Sequence, residues 1–214
     1  MSTFNRQNLM PQHKVAELIL ASGSRFRRQM LEQAGVAFSV EAAALDEPAA
    51  RAEMARRKPG MLPGDVAMAL AEAKALEVGM RHPEALVIGA DQVLALDGTI
   101  FGKPADVAAA RSQLLTLRGK THTLPTAVAM AQKGRIVWRH LGVVELEMRF
   151  FSDGFLAAYL AEVGDEVTET VGGYALEGLG VQLFERVDGD YFTVIGLPLI
   201  PLLAELRERG FGLH

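Results

Sequence analysis

Short apolar runs alternate with helix-like segments along this chain, and this alternation constrains its fold more than any other feature. Residues 18–21 form the first apolar run, followed by Ser-Gly-Ser and a predicted helix over 25–33 that Gly35 ends. A long helix is predicted over 65–80, where apolar residues recur at helical spacing. Strands mixed with helices, some joined by tight hairpins, are typical of an α/β domain with a mixed sheet.

The rest of the chain continues this pattern. Asp97-Gly98 and Lys133-Gly134 each follow an apolar run and predict a hairpin turn. The remaining predicted elements are strands at 36–40, 85–96, 121–131 and 135–144, a loop at 41–48, helices at 105–117, 153–163 (capped by Ser152) and 199–209, and a hairpin joining 181–186 to 191–195 through Asp188-Gly189.

Domain organisation and cellular class follow from composition. Since no Pro/Gly/Ser-rich linker is visible, we expect a flexible leader over 1–17 and one two-lobed domain over 18–214. The chain contains no cysteine, which excludes disulfides, thiol catalysis and thiolate metal sites. Its net charge of −4 argues against a broad nucleic-acid surface or a polybasic membrane anchor. Without a signal sequence or a long apolar run, we expect a cytoplasmic protein with no membrane partner.

Three polar clusters interrupt the apolar strand ends. The first, Ser22-Gly23-Ser24 with the arginines after it, opens a helix whose N–H groups suit a phosphate chain, or else it is a capped, solvated helix start. The second places Asp91 within an apolar strand, where a carboxylate must be paired, metal-bound or facing a cleft. The third is the glycine-rich 172–180 around Glu177, typical of close backbone approach. Lys74, Lys103 and Asp46-Glu47 are individually more typical of surface positions.

Several nucleotide and hydrolase motifs are absent from the sequence. Gly119-Lys120-Thr121 imitates the end of a P-loop, but Leu114 stands where the loop needs its first glycine. No G-x-S-x-G or G-x-G-x-x-G motif occurs, and the five histidines show no metal-binding spacing. The remaining acids, lysines and arginines form a set suited to a divalent cation and a polyphosphate.

The order of these clusters resembles the Maf family of nucleoside triphosphate pyrophosphatases over about residues 18–206. Seven segments match in register, and together they are specific although each is weak. They are Leu20-Ala21-Ser22-Gly23-Ser24-Arg25-Phe26-Arg27, Asp46-Glu47, Leu70-Ala71-Glu72-Ala73-Lys74-Ala75, Gly89-Ala90-Asp91-Gln92, Gly102-Lys103-Pro104-Ala105-Asp106, the stretch from Gly119-Lys120-Thr121-His122 to Thr126-Ala127-Val128, and the stretch from Gly189 to Gly196-Leu197-Pro198-Leu199.

The resemblance implies an elongated mixed sheet flanked by helices, with two lobes around a deep cleft, usually in a homodimer. It implies hydrolysis between the α- and β-phosphates of a nucleoside triphosphate, with Mg²⁺ or Mn²⁺ as the cofactor. Some members influence septum formation. The roles that it implies are Asp91 as the catalytic carboxylate, Glu47 and Asp91 as metal ligands, and Ser22, Ser24, Phe26, Arg27, Lys74, Gln92, Lys103 and Glu177 as substrate-binding residues.

Departures from the family average indicate the 7-methyl-GTP branch. Phe26, Gln92 and Glu177 are similar to that branch, whereas a lysine usual in the third cluster is replaced by Thr170. A carboxylate at Glu177 matches the two adjacent N–H donors of guanine, and an aromatic face at Phe26 suits a methylated, cationic purine. The alternatives are a broad purine house-cleaning pyrophosphatase and a catalytically weak nucleotide-binding regulator of septum formation.

Overall fold

The computed structural model describes residues 17–212, so the predicted leader lies outside the described residues except for Glu17. Eight strands form one mixed sheet in the order β2-β1-β3-β6-β4-β5, and β7 pairs with β6 and β8. The strands are β1 Leu18–Leu20, β2 Ser39–Val40, β3 Leu86–Gln92, β4 Leu94–Leu96, β5 Thr99–Phe101, β6 Thr121–Gln132, β7 Arg135–Met148 and β8 Phe184–Asp188.

Seven α-helices surround the sheet in the part of the chain that the structure describes. They are α1 Arg25–Gln33, α2 Glu47–Arg57, α3 Pro63–Arg81, α4 Val107–Leu117, α5 Asp153–Val163, α6 Tyr191–Ile195 and α7 Leu199–Glu208. Strand β1 is parallel to β2 and β3, while the β3–β6, β6–β7, β7–β8 and β4–β5 pairs are antiparallel. The mixed α/β class expected from the alternating pattern is therefore confirmed.

Helix α3 packs tightly against β3, and this contact sets up the centre of the molecule. A side chain at Gly89 would place its Cβ 2.1 Å from the Ala71 carbonyl oxygen, so only glycine allows the helix this close. The tight approach places Lys74 of α3 beside the end of β3, where Asp91 lies. The glycine two residues before the acid thus serves to bring a lysine to it.

Two of the three predicted hairpins, those at Asp97-Gly98 and Lys133-Gly134, have the backbone that their sequences require. Asp97 and Gly98 have φ angles of 50° and 78°, and Lys133 and Gly134 have φ angles of 51° and 72°. Two consecutive left-handed residues form the turn type that matches strand twist. The first turn joins β4 to β5 and the second joins β6 to β7.

Two segments differ from the sequence predictions. The predicted loop over 41–48 ends inside a helix, because Asp46 accepts a hydrogen bond from the Ala49 amide and so begins α2. The predicted hairpin over 181–195 is wrong: Phe184–Asp188 pairs with β7 instead. Asp190 caps the following residues, accepting from both the amide and the hydroxyl of Thr193, and they form α6.

Smaller differences concern element boundaries. The predicted strand over 36–40 shortens to β2, and the run over 85–96 divides at Val93 into β3 and β4. Strand β7 extends four residues beyond the predicted end because β8 pairs with Glu145–Met148. Within residues 17–212, none of the helices has the length and apolar content needed to cross a membrane.

Candidate active site

A cavity of about 1130 Å³ opens where β1 and β3 end, and helices α1, α2 and α3 form much of its wall. Nine of the ten residues predicted for the site line this cavity. They are Ser22, Ser24, Phe26, Arg27, Glu47, Lys74, Asp91, Gln92 and Lys103. Segments that lie up to 81 residues apart in sequence therefore meet in one place, and only Glu177 of the predicted set lies apart.

Asp91, Lys74 and Glu47 form a charged cluster in the cavity wall. The Lys74 ammonium donates to Asp91 Oδ1 at 2.7 Å and lies 2.6 Å from Glu47 Oε1. The Asp91 and Lys74 side chains are only 3% and 8% exposed, so this pair is shielded from solvent. Removing one member of a buried ion pair is strongly destabilising, because the remaining charge loses its nearest partner.

Arg51 is a member of this cluster that the sequence reasoning missed. It lies one turn after Glu47 on α2, and its Nη2 is 3.6 Å from Glu47 Oε2 and 3.6 Å from Asp91 Oδ2. Helix α2 has no buried residue, so it carries no apolar periodicity to reveal its facing side. The available signal was the Asp-Glu-Pro helix start with an arginine four residues after the glutamate.

The two carboxyl groups differ in their pKa shifts. Burial raises the pKa of Asp91, and this effect outweighs the opposing charges of Lys74 and Arg27. Burial also raises the pKa of Glu47, but Lys74, Arg51 and Arg27 together outweigh it and leave that pKa below its ordinary value. Asp91 is therefore the better proton acceptor and Glu47 the more firmly ionised carboxylate.

Arg27 ties the first cluster to the strand ends. Its Nε donates to the Gly196 carbonyl at 2.7 Å, and its Nη1 donates to the Ala90 carbonyl at 3.0 Å and to Ser22 Oγ at 3.2 Å. Burial lowers the pKa of Arg27, while Asp91 and Glu47 raise it. Its hydrogen bonds to described residues use Nε and Nη1, which leaves Nη2 for a ligand.

The remaining polar residues of the cavity fall into two kinds. The Gln92 amide nitrogen is used within the protein, since Nε2 donates to the Thr126 hydroxyl and to the carbonyls of Thr193 and Val194. Ser24 caps α1 by accepting from the Arg27 amide. Lys103, by contrast, is exposed, and within residues 17–212 it has no ion-pair partner.

Phe26 lies at the cavity in an arrangement that its sequence position did not predict. The Arg25 guanidinium lies over the Phe26 ring, 4.7 Å from its centroid. Arg25 also pairs with Glu169 at 3.0 Å and with Glu166 at 3.6 Å. Glu169 lines the cavity, so a cation and a carboxylate already lie beside the aromatic face proposed for the base.

Glu177 is exposed and is not among the residues that line the cavity. It lies between two 3-10 turns, Val171–Gly173 and Leu179–Leu183, where Thr170 and Val171 are the nearest lining residues in sequence. The buried Tyr174 hydroxyl bonds His122 Nε2 at 2.7 Å and anchors this segment from inside. The prediction that Glu177 binds substrate stays a prediction.

The carboxylates fit a divalent cation that protein and phosphate hold jointly. Asp91 Oδ2 is buried, and no described residue hydrogen-bonds to it. Within residues 17–212, no group of three or more acids or histidines is placed to hold a metal ion by itself. Mg²⁺ commonly binds through one or two carboxylates, with phosphates and water completing its coordination. Glu47 and Asp91 supply such a pair.

Comparison with known proteins gives a consistent result. A family model described as "Maf-like protein" matches residues 17–209. A Brucella abortus protein named 7-methyl-GTP pyrophosphatase is 50% identical over 193 residues, covering 90% of this chain and 96% of the relative. A Mesorhizobium japonicum protein of the same name is 49% identical over 194 residues, covering 91% and 96%.

A third relative has a broader name. The nucleoside triphosphate pyrophosphatase of Paramagnetospirillum magneticum is 54% identical over 192 residues, covering 90% of this chain and 98% of its own length. The residues matched by the family model include both the cavity lining and the sheet that positions it. The chain therefore belongs to the Maf family.

Proposed function

We propose that this protein hydrolyses the α–β phosphoanhydride of a nucleoside triphosphate, releasing a nucleoside monophosphate and pyrophosphate, and that 7-methyl-GTP is its preferred substrate. The observation that carries the proposal is the cluster of Asp91, Lys74 and Glu47 in the wall of a nucleotide-sized cavity. Anhydride hydrolysis needs neutralised phosphate charge and an oriented water, and this cluster contains groups for both.

Phosphate oxygens would be met by two basic side chains and one hydroxyl. Arg27 is fixed by its backbone hydrogen bonds and so offers Nη2 in a set orientation. Lys103 is exposed and free to follow the phosphates as they enter. The Ser22 hydroxyl accepts from Arg27 Nη1 and can donate its own proton to a phosphate oxygen.

Asp91 would act on the attacking water. The water oxygen forms a bond to the α-phosphorus, the bond from that phosphorus to the bridging oxygen breaks, and the water proton passes to the carboxylate. The raised pKa of Asp91, caused by burial, moves this carboxyl toward the range in which a general base works best. Lys74 holds Oδ1 and so directs the second oxygen, Oδ2, toward the reaction.

A divalent cation is part of the proposal, with Glu47 and Asp91 as its protein ligands. When bound, Mg²⁺ or Mn²⁺ would supply positive charge next to the phosphate oxygens. Glu47 suits this role because its pKa is lowered by Lys74 and Arg51 despite the opposing effect of burial, so it stays ionised. The family resemblance extends the proposal to a homodimer, which sedimentation of the purified chain would test. The cytoplasmic location expected from the sequence is proposed separately.

The preference for 7-methyl-GTP is supported by relatives and by one residue of the cavity. Two relatives that are 49–50% identical are named for that substrate. Methylation at N7 makes the purine cationic, and an aromatic face contributes about 0.5–2 kcal/mol to binding a cation. Phe26 offers such a face at the cavity, and the Arg25 guanidinium lies over the same ring.

A substrate panel scored for pyrophosphate release tests this function. We expect kcat/KM to be highest for 7-methyl-GTP among 7-methyl-GTP, GTP, dTTP, UTP, ITP and XTP. Equal turnover of ITP and XTP would instead favour a broad purine enzyme, and preference for dTTP or UTP would reject the proposed base. Turnover of none of them by protein that is folded and metal-loaded would contradict the hydrolase function itself.

A further inference from the structure

Arg51 faces the two carboxylates of the site from the side opposite Lys74. Lys74 contacts Glu47 Oε1 and Asp91 Oδ1, whereas Arg51 Nη2 is 3.6 Å from each of the other two oxygens, Glu47 Oε2 and Asp91 Oδ2. The guanidinium is therefore equidistant from one oxygen of each acid. A divalent cation shared by these acids would approach the same two oxygens.

The Arg51 contacts are loose compared with those of Lys74. A separation of 3.6 Å is too long for a hydrogen bond. Among residues 17–212, neither Asp91 Oδ2 nor Arg51 Nε has a hydrogen-bond partner, although both atoms are buried. A buried polar atom left without a hydrogen bond destabilises the arrangement that contains it. A ligand that satisfies both atoms would therefore be favoured by the site.

We propose that Arg51 is an exchangeable counter-ion. It neutralises Glu47 Oε2 and Asp91 Oδ2 while the cation is absent. When a divalent cation binds these two oxygens, the guanidinium moves away from them and contacts the polyphosphate instead. The phosphate part of this inference rests on the proposed function. The exchange between guanidinium and cation does not depend on turnover.

The physical reason for exchange is that arginine cannot lose its charge. A lysine could make room for a metal ion by deprotonating, but a guanidinium remains protonated and must move away. A cation binding alone therefore displaces Arg51 with no new partner, whereas a cation that arrives with a nucleotide brings phosphate oxygens that can receive it. Cation and nucleotide should consequently bind with positive coupling, and the coupling must be reciprocal.

The charge of the whole cavity agrees with this coupling between cation and nucleotide. Its lining contains five basic side chains, Arg27, Arg51, Lys58, Lys74 and Lys103, and four acidic ones, Asp46, Glu47, Asp91 and Glu169. With its basic residues in excess, the cavity favours an anionic complex of nucleotide and metal over a free divalent cation.

Calorimetric titration of the nucleotide-free protein with Mn²⁺ tests the exchange directly. We expect Arg51→Gln to bind Mn²⁺ roughly tenfold more tightly than the wild type, because a competing positive charge is gone. Arg57→Gln is the matched control: it removes the same charge from the same helix, where the side chain is 78% exposed, and should change the affinity less than about twofold.

The coupling provides the second arm of the test. In the presence of a non-hydrolysable α,β-methylene analogue of GTP, Mn²⁺ affinity should rise strongly for the wild type and for Arg57→Gln. The rise should be smaller for Arg51→Gln, since its site has no arginine to relocate. An Arg51→Gln protein that binds free Mn²⁺ no more tightly than the wild type, or that binds none, would overturn the proposal.

A labelling experiment on the wild type avoids any effect of substitution on folding. Phenylglyoxal modification of Arg51, measured by peptide mass spectrometry, should speed up at least about threefold when saturating Mn²⁺ is added, because the displaced side chain becomes accessible. Arg57 should react at the same rate with and without Mn²⁺. Unchanged or slower labelling of Arg51 would contradict exchange. None of these measurements reads turnover, so they can fail or succeed independently of the proposed hydrolase activity.

Discussion

The side of the cavity to which we assign the phosphates and the side to which we assign the base are built in different ways. On the phosphate side, Asp91 and Lys74 are 3% and 8% exposed and are set by the close packing of α3 against β3 at Gly89. On the side assigned to the base, Arg25 and Glu169 are 58% and 45% exposed and form an ion pair beside Phe26. Because exposed ion pairs contribute little to stability, the Arg25–Glu169 pair can separate more readily than the buried Asp91–Lys74 pair.

This difference separates chemistry from selectivity. The reaction needs fixed charges and an oriented carboxylate, and these lie on regular elements with buried contacts. The two carboxylates considered for the base, Glu169 and Glu177, lie in segment 169–180, which forms short 3-10 turns and loops and contains no strand or α-helix. Substitutions on the side assigned to the phosphates should therefore change kcat and the free energy of unfolding. Substitutions on the side assigned to the base should change the ratio of kcat/KM between nucleotides.

The largest effect is expected from Asp91→Asn. The amide keeps the volume of the side chain but removes the proton acceptor and the negative charge, so kcat should fall by about 10²–10⁴-fold. Steady-state kinetics with excess Mg²⁺ measure this, and circular dichroism confirms that the variant is folded. A variant with near-normal kcat would make Asp91 a structural residue.

Arg27→Ala and Lys103→Ala should separate a fixed phosphate ligand from a mobile one. Both changes should lower kcat/KM, because each removes charge that stabilises the departing pyrophosphate. Only Arg27→Ala should also lower the free energy of unfolding, by about 3 kcal/mol, since it loses three hydrogen bonds of about 1 kcal/mol each. Lys103 is exposed, and its replacement should leave stability within about 0.5 kcal/mol.

Urea unfolding followed alongside the kinetics distinguishes these two outcomes. If both variants raised KM with kcat unchanged, the two residues would bind the ground state and the transition state equally and would serve only to hold the substrate. Equal stability losses in both would contradict the contrast between a fixed and a mobile ligand.

The free energy of unfolding should depend on pH because of His122, the buried residue that hydrogen-bonds the Tyr174 hydroxyl. Burial lowers the pKa of His122 to about 4, against 6.5 in the unfolded chain. Between these values the unfolded state binds more protons, so stability is fully present above pH 6.5 and is lost as the pH falls toward 4. The loss for this group from pH 7 to 4.5 is about 2 kcal/mol.

His122→Gln is the control for this titration. Glutamine can still hydrogen-bond the Tyr174 hydroxyl but does not titrate, so its unfolding free energy should fall less steeply between pH 7 and 4.5. Denaturant unfolding of both proteins at several pH values measures the slopes. Identical slopes of unfolding free energy against pH in the two proteins would show that folding does not lower the pKa of His122.

The smallest effect concerns selection of the base. We expect Glu177→Gln to lower the ratio of kcat/KM for 7-methyl-GTP over dTTP by roughly tenfold, because one hydrogen-bonded charge near the base is worth about that factor. Glu169→Gln should change the ratio less than about twofold, since Arg25 already occupies that carboxylate. The opposite pattern would assign base selection to Glu169, the carboxylate that lines the cavity.

Sequence patterns predicted the phosphate side much better than the base side. An acid within an apolar strand can only be paired or functional, and this rule located Asp91. Helices α1 and α5 begin and end where the capping serines and the periodicity place them. Arg51 was not predicted because α2 buries no residue. Without an apolar stripe, the sequence does not show which side of a helix faces the protein.

The segments after α5 show a second limit. Residues 181–195 contain apolar runs around Asp188-Gly189 that predict a hairpin, but β8 finds its partner in β7, which is distant in sequence. Asp190 then caps α6 through Thr193, a local interaction that overrides the apolar pattern. Glu177 lies in the same part of the chain, where glycines permit many conformations and sequence spacing does not define side-chain positions.

Hydrolysis of 7-methyl-GTP in oxygen-18 water, with the products identified by phosphorus NMR and mass spectrometry, tests the central claim most directly. The account predicts one pyrophosphate and one 7-methyl-GMP per turnover, with a single oxygen-18 atom in the monophosphate, because water attacks the α-phosphorus. The Asp91→Asn protein should form both products at the same ratio but far more slowly. Release of orthophosphate and a nucleoside diphosphate, or oxygen-18 in the pyrophosphate, would contradict the account.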